Sequence, residues 1–243
     1  MLVFVGVLAV WEAWAQAADE YSVPTVGEVA KTAWRDWPTS EFMSDVGMSL
    51  KRLAAGYAIA AVVSIALGLA MGSSRGLRRT LDPFFELLRA VPAISIVPVA
   101  ILVFGLGDTE RIAVIAWGVS FPILVNTIEG VRNVPPEVRD TASMLHLGRV
   151  ERALRVYLPS ALPSIFTGLR ISLSLALVMV VISEFVGEGN GLGHAILVHQ
   201  SLFSVPEMYA GVLFLGLLGY LLNTVFLAVE RRVLAWHYGA AGE

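Results

Sequence analysis

The chain has 243 residues, of which 56% are hydrophobic and 15% are charged, and its formal net charge is −3. Soluble domains of this length carry about a quarter charged residues, so this composition argues against a soluble enzyme, and we expect no nucleic-acid partner. The chain contains no cysteine, which excludes a disulfide framework and a thiolate metal site.

Long uncharged or nearly uncharged runs predict an all-α membrane protein. A helix needs about 17–25 apolar residues to cross the hydrocarbon core of a membrane. Lipid offers the backbone no hydrogen-bond partners, so spans of this kind form helices. The sequence therefore predicts one transmembrane domain over residues 1–243 with about six spans. The predicted spans cover residues 1–18, 53–72, 90–107, 112–128, 156–184 and 208–229.

The first of these runs leaves two interpretations open. Its residues 15–17, Ala-Gln-Ala, resemble a signal-peptidase site. However, the run has no positively charged leading region, and Trp11 and Trp14 suit a membrane interface. We expect it to be a retained span.

The positions of lysine and arginine predict the orientation of the chain. If the N-terminus is inside, eleven of the 17 basic residues fall in cytoplasmic segments and five in external ones. Short cytoplasmic loops carry the excess of Lys and Arg, so we expect both termini to be cytoplasmic. The external segment 19–45 is polar with tryptophans and prolines, and we expect an amphipathic linker at the outer surface.

Small residues and prolines distinguish the second, third and fourth spans. Gly68 and Gly72 have a spacing that lets helices approach closely, and packing is their expected role. Prolines in the next two spans predict bent or interrupted helices. Such breaks are tolerated at membrane depth where they face protein or a water-filled path, although a purely structural kink stays open.

A translocation path is the functional interpretation of these breaks and of the polar residues near them. Arg170 is the sole charge of the fifth span before Glu184 at its end, and an intramembrane charge is a functional hypothesis by default. Its position near the start of that span also allows it to reach the cytoplasmic interface. The candidate path residues are Pro92, Pro98, Ser120, Asn126 and Arg170.

The longest internal loop predicts a two-helix elbow over residues 135–159, which we call the elbow. A first helix is expected after Pro135, a break near residues 146–148, and a second helix over 149–158 closed by Pro159. Arg149, Arg152 and Arg155 recur on one stripe of this second helix, opposite apolar residues. From these residues alone, a groove of another protein and anionic lipid headgroups are equally suitable partners.

The elbow resembles the E-A-A-x3-G-x9-I-x-L-P signature of binding-protein-dependent ABC import permeases. The chain keeps the full spacing, but His146 stands where the signature has glycine, with Gly148 two residues later. Glycine adopts positive φ far more readily than histidine, so the turn is the doubtful point. The signature residues in this chain are Asp140, Thr141, Ala142, His146, Val156, Leu158 and Pro159.

Further segments along most of the chain are similar to the nitrate, sulfonate and taurine branch of this family. They are residues 23–29, 81–83, 90–94, 96–101, 104–107, 121–127 and 189–193. The resemblance implies a type I ABC importer permease that pairs with a second permease copy, as a homodimer, in the bacterial inner membrane. It also implies two cytoplasmic ATPase subunits, and a periplasmic or lipid-anchored binding protein that delivers a small anionic solute.

The resemblance further implies that the elbow contacts the ATPase, with Gly148, Arg149, Arg152 and Arg155 beside the signature residues. The chain has no G-x-x-x-x-G-K-[ST] loop and no H-E-x-x-H, so we expect ATP and magnesium to be used by the partner and no cofactor or metal to be bound here. His194 and His199 have no evident third ligand.

Two rival functions are a secondary transporter and a membrane-embedded enzyme. A secondary transporter usually shows internal repeats and charges at mid-membrane, neither of which the sequence suggests. An enzyme would need an acid and base pair, a metal cluster or an activated nucleophile within the spans, and the spans offer none.

Overall fold

The computed structural model describes residues 2–18, 23–186 and 189–236, and this part of the chain is helical without strands. The parts of the predicted external segment and of the C-terminus at residues 19–22 and 237–243 lie outside the described residues. The helices are α1 Leu2–Ala18, α2 Val26–Asp36, α3 Ser40–Ser73, α4 Arg75–Ala90, α5 Val97–Phe104, α6 Asp108–Arg132, α7 Pro136–Met144, α8 Arg149–Arg152, α9 Leu158–Glu184, α10 Leu192–Ser201 and α11 Val205–Val233.

Four helical segments in the described residues are long and apolar enough to cross a membrane. They are α3, α6, α11 and the segment Arg149–Glu184, which contains α9. A fifth span is the bent pair described below, if its two arms count as one. The first predicted span forms α1, whose 17 residues are at the lower limit of length for crossing. The all-helical membrane fold predicted from the sequence is confirmed.

The predicted break in the third span is also confirmed. Helix α4 ends at Ala90, a short 3₁₀ turn covers Ala93–Ile96, and α5 begins at Val97, with a bend of 92° between the two arms. Pro92 caps the 3₁₀ turn and has no amide proton to continue α4. The residue before a proline also avoids helical dihedrals, and Val91 is extended, with ψ of 121°.

The described residues divide into two compact units. The first unit contains the described residues within 1–51 and 181–219, and the second contains those within 52–180 and 220–243. In the first unit, Val29 and Ala33 of α2 are buried with Ala210 of α11, and the rings of Trp11 and Tyr209 pack against them. Helix α2, which we expected to be an amphipathic linker, therefore buries one face against its neighbours.

The second unit is assembled around close contacts between α3 and α6. A methyl group at Gly68 would lie 2.6 Å from the Thr127 side chain, and one at Gly72 would lie 2.6 Å from Val131. Carbon atoms in contact prefer about 3.5–4.0 Å, so both positions require glycine. The predicted packing role of these two glycines is confirmed.

Candidate functional site

The elbow begins with α7 and a turn that reverses the chain. The amide of Leu147 donates to the Ala142 carbonyl at 3.4 Å, and the amide of His146 donates to the Ser143 carbonyl at 3.0 Å. These two bonds form a Schellman motif, which requires a left-handed residue at its C′ position. His146 occupies that position with φ of +52°. The turn therefore has the geometry that glycine favours, and His146 adopts it.

The second half of the elbow differs from the prediction. The structure shows no end at Pro159, so the predicted closure of the second helix there is wrong. Helix α8 passes through a π-helical turn at Ala153–Tyr157 directly into α9. The amide of Leu158 bonds to the Ala153 carbonyl, five residues before it. Proline normally clashes with the carbonyl four residues earlier, and the wider π turn accommodates Pro159 without a break.

Apolar residues of the signature anchor the elbow in the second unit. Tyr157, the residue between Val156 and Leu158, is buried in a cluster with Val131 and Ile165. Val156 and Leu158 are partly buried against this cluster, and Ala142 is buried on α7. These residues fix the elbow to the membrane helices, so an effect of their substitution on a partner would be indirect.

Arg139 is a second anchor that sequence analysis did not single out. Its guanidinium donates to the carbonyls of Val131 and Arg132 at 2.8 and 2.6 Å. The last carbonyls of a helix lack partners within the helix, so Arg139 of α7 caps the end of α6. The signature does not include Arg139. An arginine shortly after the end of a helix nevertheless indicates a possible cap for the last carbonyls of that helix.

The three arginines in the second half of the elbow have different surroundings. Arg152 donates to the Leu147 carbonyl at 3.3 Å and so supports the turn. Arg155 pairs with Glu151 at 2.9 Å, as the i,i+4 spacing predicts, while its side chain stays 75% exposed. Arg149 is exposed.

Exposed apolar side chains surround these arginines, and Asp140 and Thr141 lie exposed on α7. Met144 is 77% exposed and Val150 is 72% exposed, and Leu145 and Leu154 are exposed as well. Adjacent exposed apolar residues indicate an interaction surface. The elbow thus presents apolar and basic side chains together.

Two cavities lie beside α4 and α6 in the second unit. The first, of about 320 Å³, lies between these helices, and we call it the α4–α6 cavity. Its charged lining residues are Arg78, Asp82, Glu86, Arg89, Glu129 and Arg132. The second, of about 400 Å³, lies at the break after α4, and we call it the bend cavity. Its lining includes Arg89, Pro92, Trp117, Phe121 and Asn126.

The structure brings two of the five candidate path residues together. Pro92 and Asn126 both line the bend cavity, while Ser120 bonds to the Ala116 carbonyl of its own helix and Pro98 is exposed in the first turn of α5. Arg170 pairs with Glu230 at 2.7 Å. This pairing compensates its charge, so Arg170 has less need of an anionic ligand than an arginine without an acid.

A buried polar network in the first unit escaped sequence analysis, and we call it the Glu184 network. Its members are Glu184, Ser49, Asp45 and the backbone amides of residues 191–193. The Ser49 hydroxyl donates to the Glu184 carboxylate at 2.8 Å and accepts the Leu192 amide at 2.9 Å. The Gly193 amide donates to Glu184, and the Gly191 amide to Asp45. Asp45, Ser49 and Glu184 thus accept the three successive amides at the start of α10.

Two signals could have located this network. Glu184 is an acid at the end of an apolar helix, and such acids require partners. Residues 189–193 contain three glycines, and Gly191 has φ of +122° with no room for a methyl group beside the Glu184 carboxylate. The missing information was the pairing of these segments with each other.

Comparison with known proteins agrees with the membrane helices and the elbow that the structure shows. The profile of the family described as "Binding-protein-dependent transport system inner membrane component" matches residues 60–235. The putative aliphatic sulfonates transport permease protein SsuC of Bacillus subtilis is 30% identical over 84% of this chain and 74% of its own length. The nitrate import permease protein NrtB of Leptolyngbya laminosa is 35% identical over 78% of this chain and 68% of its own length. The bicarbonate transport system permease protein CmpB of Synechococcus elongatus is 35% identical over 76% and 67%.

Solved structures support the fold independently. A structure of inward-facing conformations of the MetNI methionine ABC transporter aligns with a TM-score of 0.70, covering 79% of this chain and 95% of that one, at 17% identity. A second ABC transporter, for amino acids, aligns with a TM-score of 0.60, also at 17% identity. These alignments establish the type I importer permease fold.

Proposed function

This chain belongs to the family of binding-protein-dependent transport system inner membrane components and is a permease subunit of an ABC importer, and we propose that it moves a small anion, driven by a separate ATPase that binds the elbow. In this proposal the chain contributes the membrane path and the coupling surface. ATP and magnesium are used by the partner, and the secondary-transporter alternative is set aside because it gives the elbow no role.

The exposed face of the elbow carries this proposal. Val150 and Leu154 of this face are exposed, as are Met144 and Leu145 at the turn. Protein interfaces combine an apolar centre with arginine, which suits Arg149 and Arg155 beside these residues. A membrane interface also suits basic and apolar side chains together, and the match to a transport-system family favours a protein partner for this face.

Firm attachment of the elbow to the membrane helices supports coupling. Tyr157 is buried against α6 and α9 residues, and Arg139 bonds to the end of α6. Because α8 continues into α9 without a break, a displacement of the elbow would be passed to a spanning helix. Coupling of two sites requires such an element with two arrangements, each favoured by one ligand.

Relatives and charge distribution support the remaining parts of the proposal. SsuC, NrtB and CmpB are named for aliphatic sulfonates, nitrate and bicarbonate, which are all anions. The excess of arginine in and around the elbow favours a cytoplasmic elbow with cytoplasmic termini. The family description implies a binding protein, and two-fold pairing with a second permease copy is the common arrangement.

Affinity purification from membranes tests the proposal. The full chain is purified in mild detergent, its co-purifying subunits are identified, and ATP hydrolysis is measured with and without the secreted binding protein encoded nearby. We expect an ATPase subunit, with hydrolysis that rises when the binding protein and its anion are added. Substrate movement by the chain in the absence of any ATPase would favour the secondary transporter instead.

A further inference from the structure

Arg89 is a charged residue beside the middle of a membrane-spanning helix. It lies in the last turn of α4, and the residue is exposed. It lines the bend cavity with Phe121 and Pro122, which lie at the middle of the 25-residue α6. Sequence analysis had counted Arg89 with the cytoplasmic arginines. The shared lining places Arg89 level with the middle of α6.

Arg89 connects the two cavities of the second unit. It lines both, together with Phe121 and Val125. In the α4–α6 cavity, acids and arginines balance, since three of each line it. In the bend cavity, Arg89 is the sole charged residue among the described residues that form the lining. A solute in the bend cavity therefore meets a net positive charge.

No acidic residue in the described part of the chain compensates the charge of Arg89. Within the described residues, no carboxylate forms an ion pair with it, whereas Arg170 pairs with Glu230 and Arg78 pairs with Asp82. A charge at membrane depth is costly unless it serves a ligand or a path. Arg89 thus combines a position in a cavity beside the middle of α6 with the lack of an acidic partner among the described residues.

A second donor lines the same cavity. The indole Nε1 of Trp117 is buried and has no hydrogen-bond acceptor among the described residues. Buried donors usually have acceptors, so the Trp117 indole is free to donate to a ligand that approaches it from the cavity. An anion would accept from Trp117 and Arg89 together, and charge-assisted bonds of this kind are about twice as strong as neutral ones.

We propose that the bend cavity is an anion site within the permease and that Arg89 contacts the transported anion there, with the Trp117 indole as a second donor. This inference rests on the proposed function, because that function makes the bound anion the transported substrate. It extends that function by assigning a residue that selects for negative charge inside the membrane, in addition to any selection by a binding protein. The fitting ligand is a small oxyanion such as nitrate, bicarbonate or an alkanesulfonate.

The test compares three variants in the full importer reconstituted in proteoliposomes with its ATPase and binding protein. R89Q removes the charge, R89K keeps it, and R79Q makes the same change at an exposed arginine of α4 that lines neither cavity. Uptake by the wild-type protein is first measured with nitrate, bicarbonate and methanesulfonate. The variants are then compared using the anion that the wild-type protein takes up. We expect R89Q to lower uptake about tenfold or more, since a charged hydrogen bond is lost. R89K should retain more uptake than R89Q, and R79Q should match the wild type.

ATP hydrolysis separates a site from a structural role. If Arg89 contacts the anion, R89Q keeps hydrolysis that is stimulated by the binding protein while uptake falls. Uptake by R89Q at the wild-type level would overturn the inference. A loss of both uptake and stimulated hydrolysis in R89Q and R89K alike would overturn it as well, because that pattern indicates damage to the assembly.

Fluorescence quenching tests the anion site without transport. It therefore gives a result even when the wild-type protein takes up none of the three anions and the proposed function fails. Iodide is the probe, and the Trp117 signal is the difference between the purified complex and its W117F variant. We expect iodide quenching of this signal to fall by about half or more in R89Q, because the local positive potential is lost. Quenching by neutral acrylamide should be unchanged. Equal iodide quenching in wild type and R89Q would contradict an anion site.

Discussion

The Glu184 network and the elbow use polar and charged residues in opposite ways. In the Glu184 network, Glu184 and Ser49 are buried and hydrogen-bonded to each other and to α10. In the elbow, Arg149 and Arg155 are exposed, and the nearby Val150 is 72% exposed. The first region therefore satisfies its polar groups within the chain, and the second leaves Arg149 and its exposed apolar neighbours available to a partner.

This difference separates residues that maintain the fold from residues that serve function. A buried group that loses its partner costs free energy of unfolding, whereas an exposed side chain can be changed with little effect on stability. Substitutions in the two regions should therefore affect different measurements. The expected loss of stability is largest in the Glu184 network and smallest on the exposed face of the elbow.

The largest effect is expected at Gly191. Substitution G191A should lower the free energy of unfolding by more than about 3 kcal/mol, because φ of +122° strains any other residue and the new methyl group would meet the Glu184 carboxylate. The yield of monodisperse protein and its thermal midpoint in detergent measure this. The control G27A, in a helix and with open space around the added methyl group, should cost nothing. Equal midpoints for G191A and G27A would contradict the tight fit.

A smaller loss of stability is expected at Ser49. Substitution S49A leaves the Leu192 amide without its acceptor and removes one donor to Glu184, which should cost about 1–3 kcal/mol. The matched control is S201A, since Ser201 is exposed and bonds within its own helix. Midpoints from thermal unfolding compare the two. If S201A destabilised the protein as much as S49A, burial of the network would not be the cause.

A still smaller effect is expected at the capping box of α2. The Thr25 amide, and then the Thr25 hydroxyl contact and Lys31, lower the pKa of Glu28. A lowered pKa means that Glu28 stabilises the protein above its ordinary pKa and loses that contribution as the pH falls through the lowered value. The midpoint difference between wild type and E28Q should therefore shrink as the pH drops below about 4.

A double-variant cycle isolates this contribution. In a T25A background, which removes the same capping box, E28Q should have little further effect. A difference between wild type and E28Q that is constant from neutral to acid pH would show that the capping hydrogen bond contributes nothing measurable.

No effect on stability is expected at the exposed Arg149 of the elbow, although function should be lost. Charge reversal R149E should leave the thermal midpoint unchanged within about 0.5 kcal/mol of stability, because Arg149 is exposed. It should reduce co-purification of the ATPase and uncouple hydrolysis from transport. The matched control R79E reverses an exposed arginine outside the elbow. Loss of stability in R149E would show that Arg149 maintains the fold, as the Glu184 network does. Undiminished ATPase binding would show that Arg149 is not part of the ATPase contact.

The two regions also differ in how far sequence predicts them. The elbow was predictable because its information is local: Pro136 opens α7, the signature spacing is complete, and Glu151 and Arg155 are four residues apart. The continuation past Pro159 was not predictable, because the π turn that accommodates the proline depends on the packing of Tyr157. Sequence analysis also raised a doubt about His146, and the structure answers it with a positive φ.

The Glu184 network and the bend cavity were out of reach for the opposite reason. Ser49, Glu184 and Gly191 are brought together by the fold from segments far apart in the chain. In the same way, the sequence shows Arg89 and Arg170 as two arginines near spans, and the structure alone shows that Arg170 has an acidic partner and that Arg89 lines cavities. Pairing across distant segments cannot be inferred from periodicity.

Single-cysteine cross-linking tests most directly whether the elbow binds the ATPase. The chain has no cysteine, so V150C and L154C each introduce a unique site on the exposed elbow, and V62C introduces one on an exposed position of α3. Each variant carries a thiol-linked photo-cross-linker in native membranes that contain the whole importer. The account predicts an ATPase adduct from V150C and L154C and none from V62C. An ATPase adduct that is absent from both elbow positions in an active importer would contradict it.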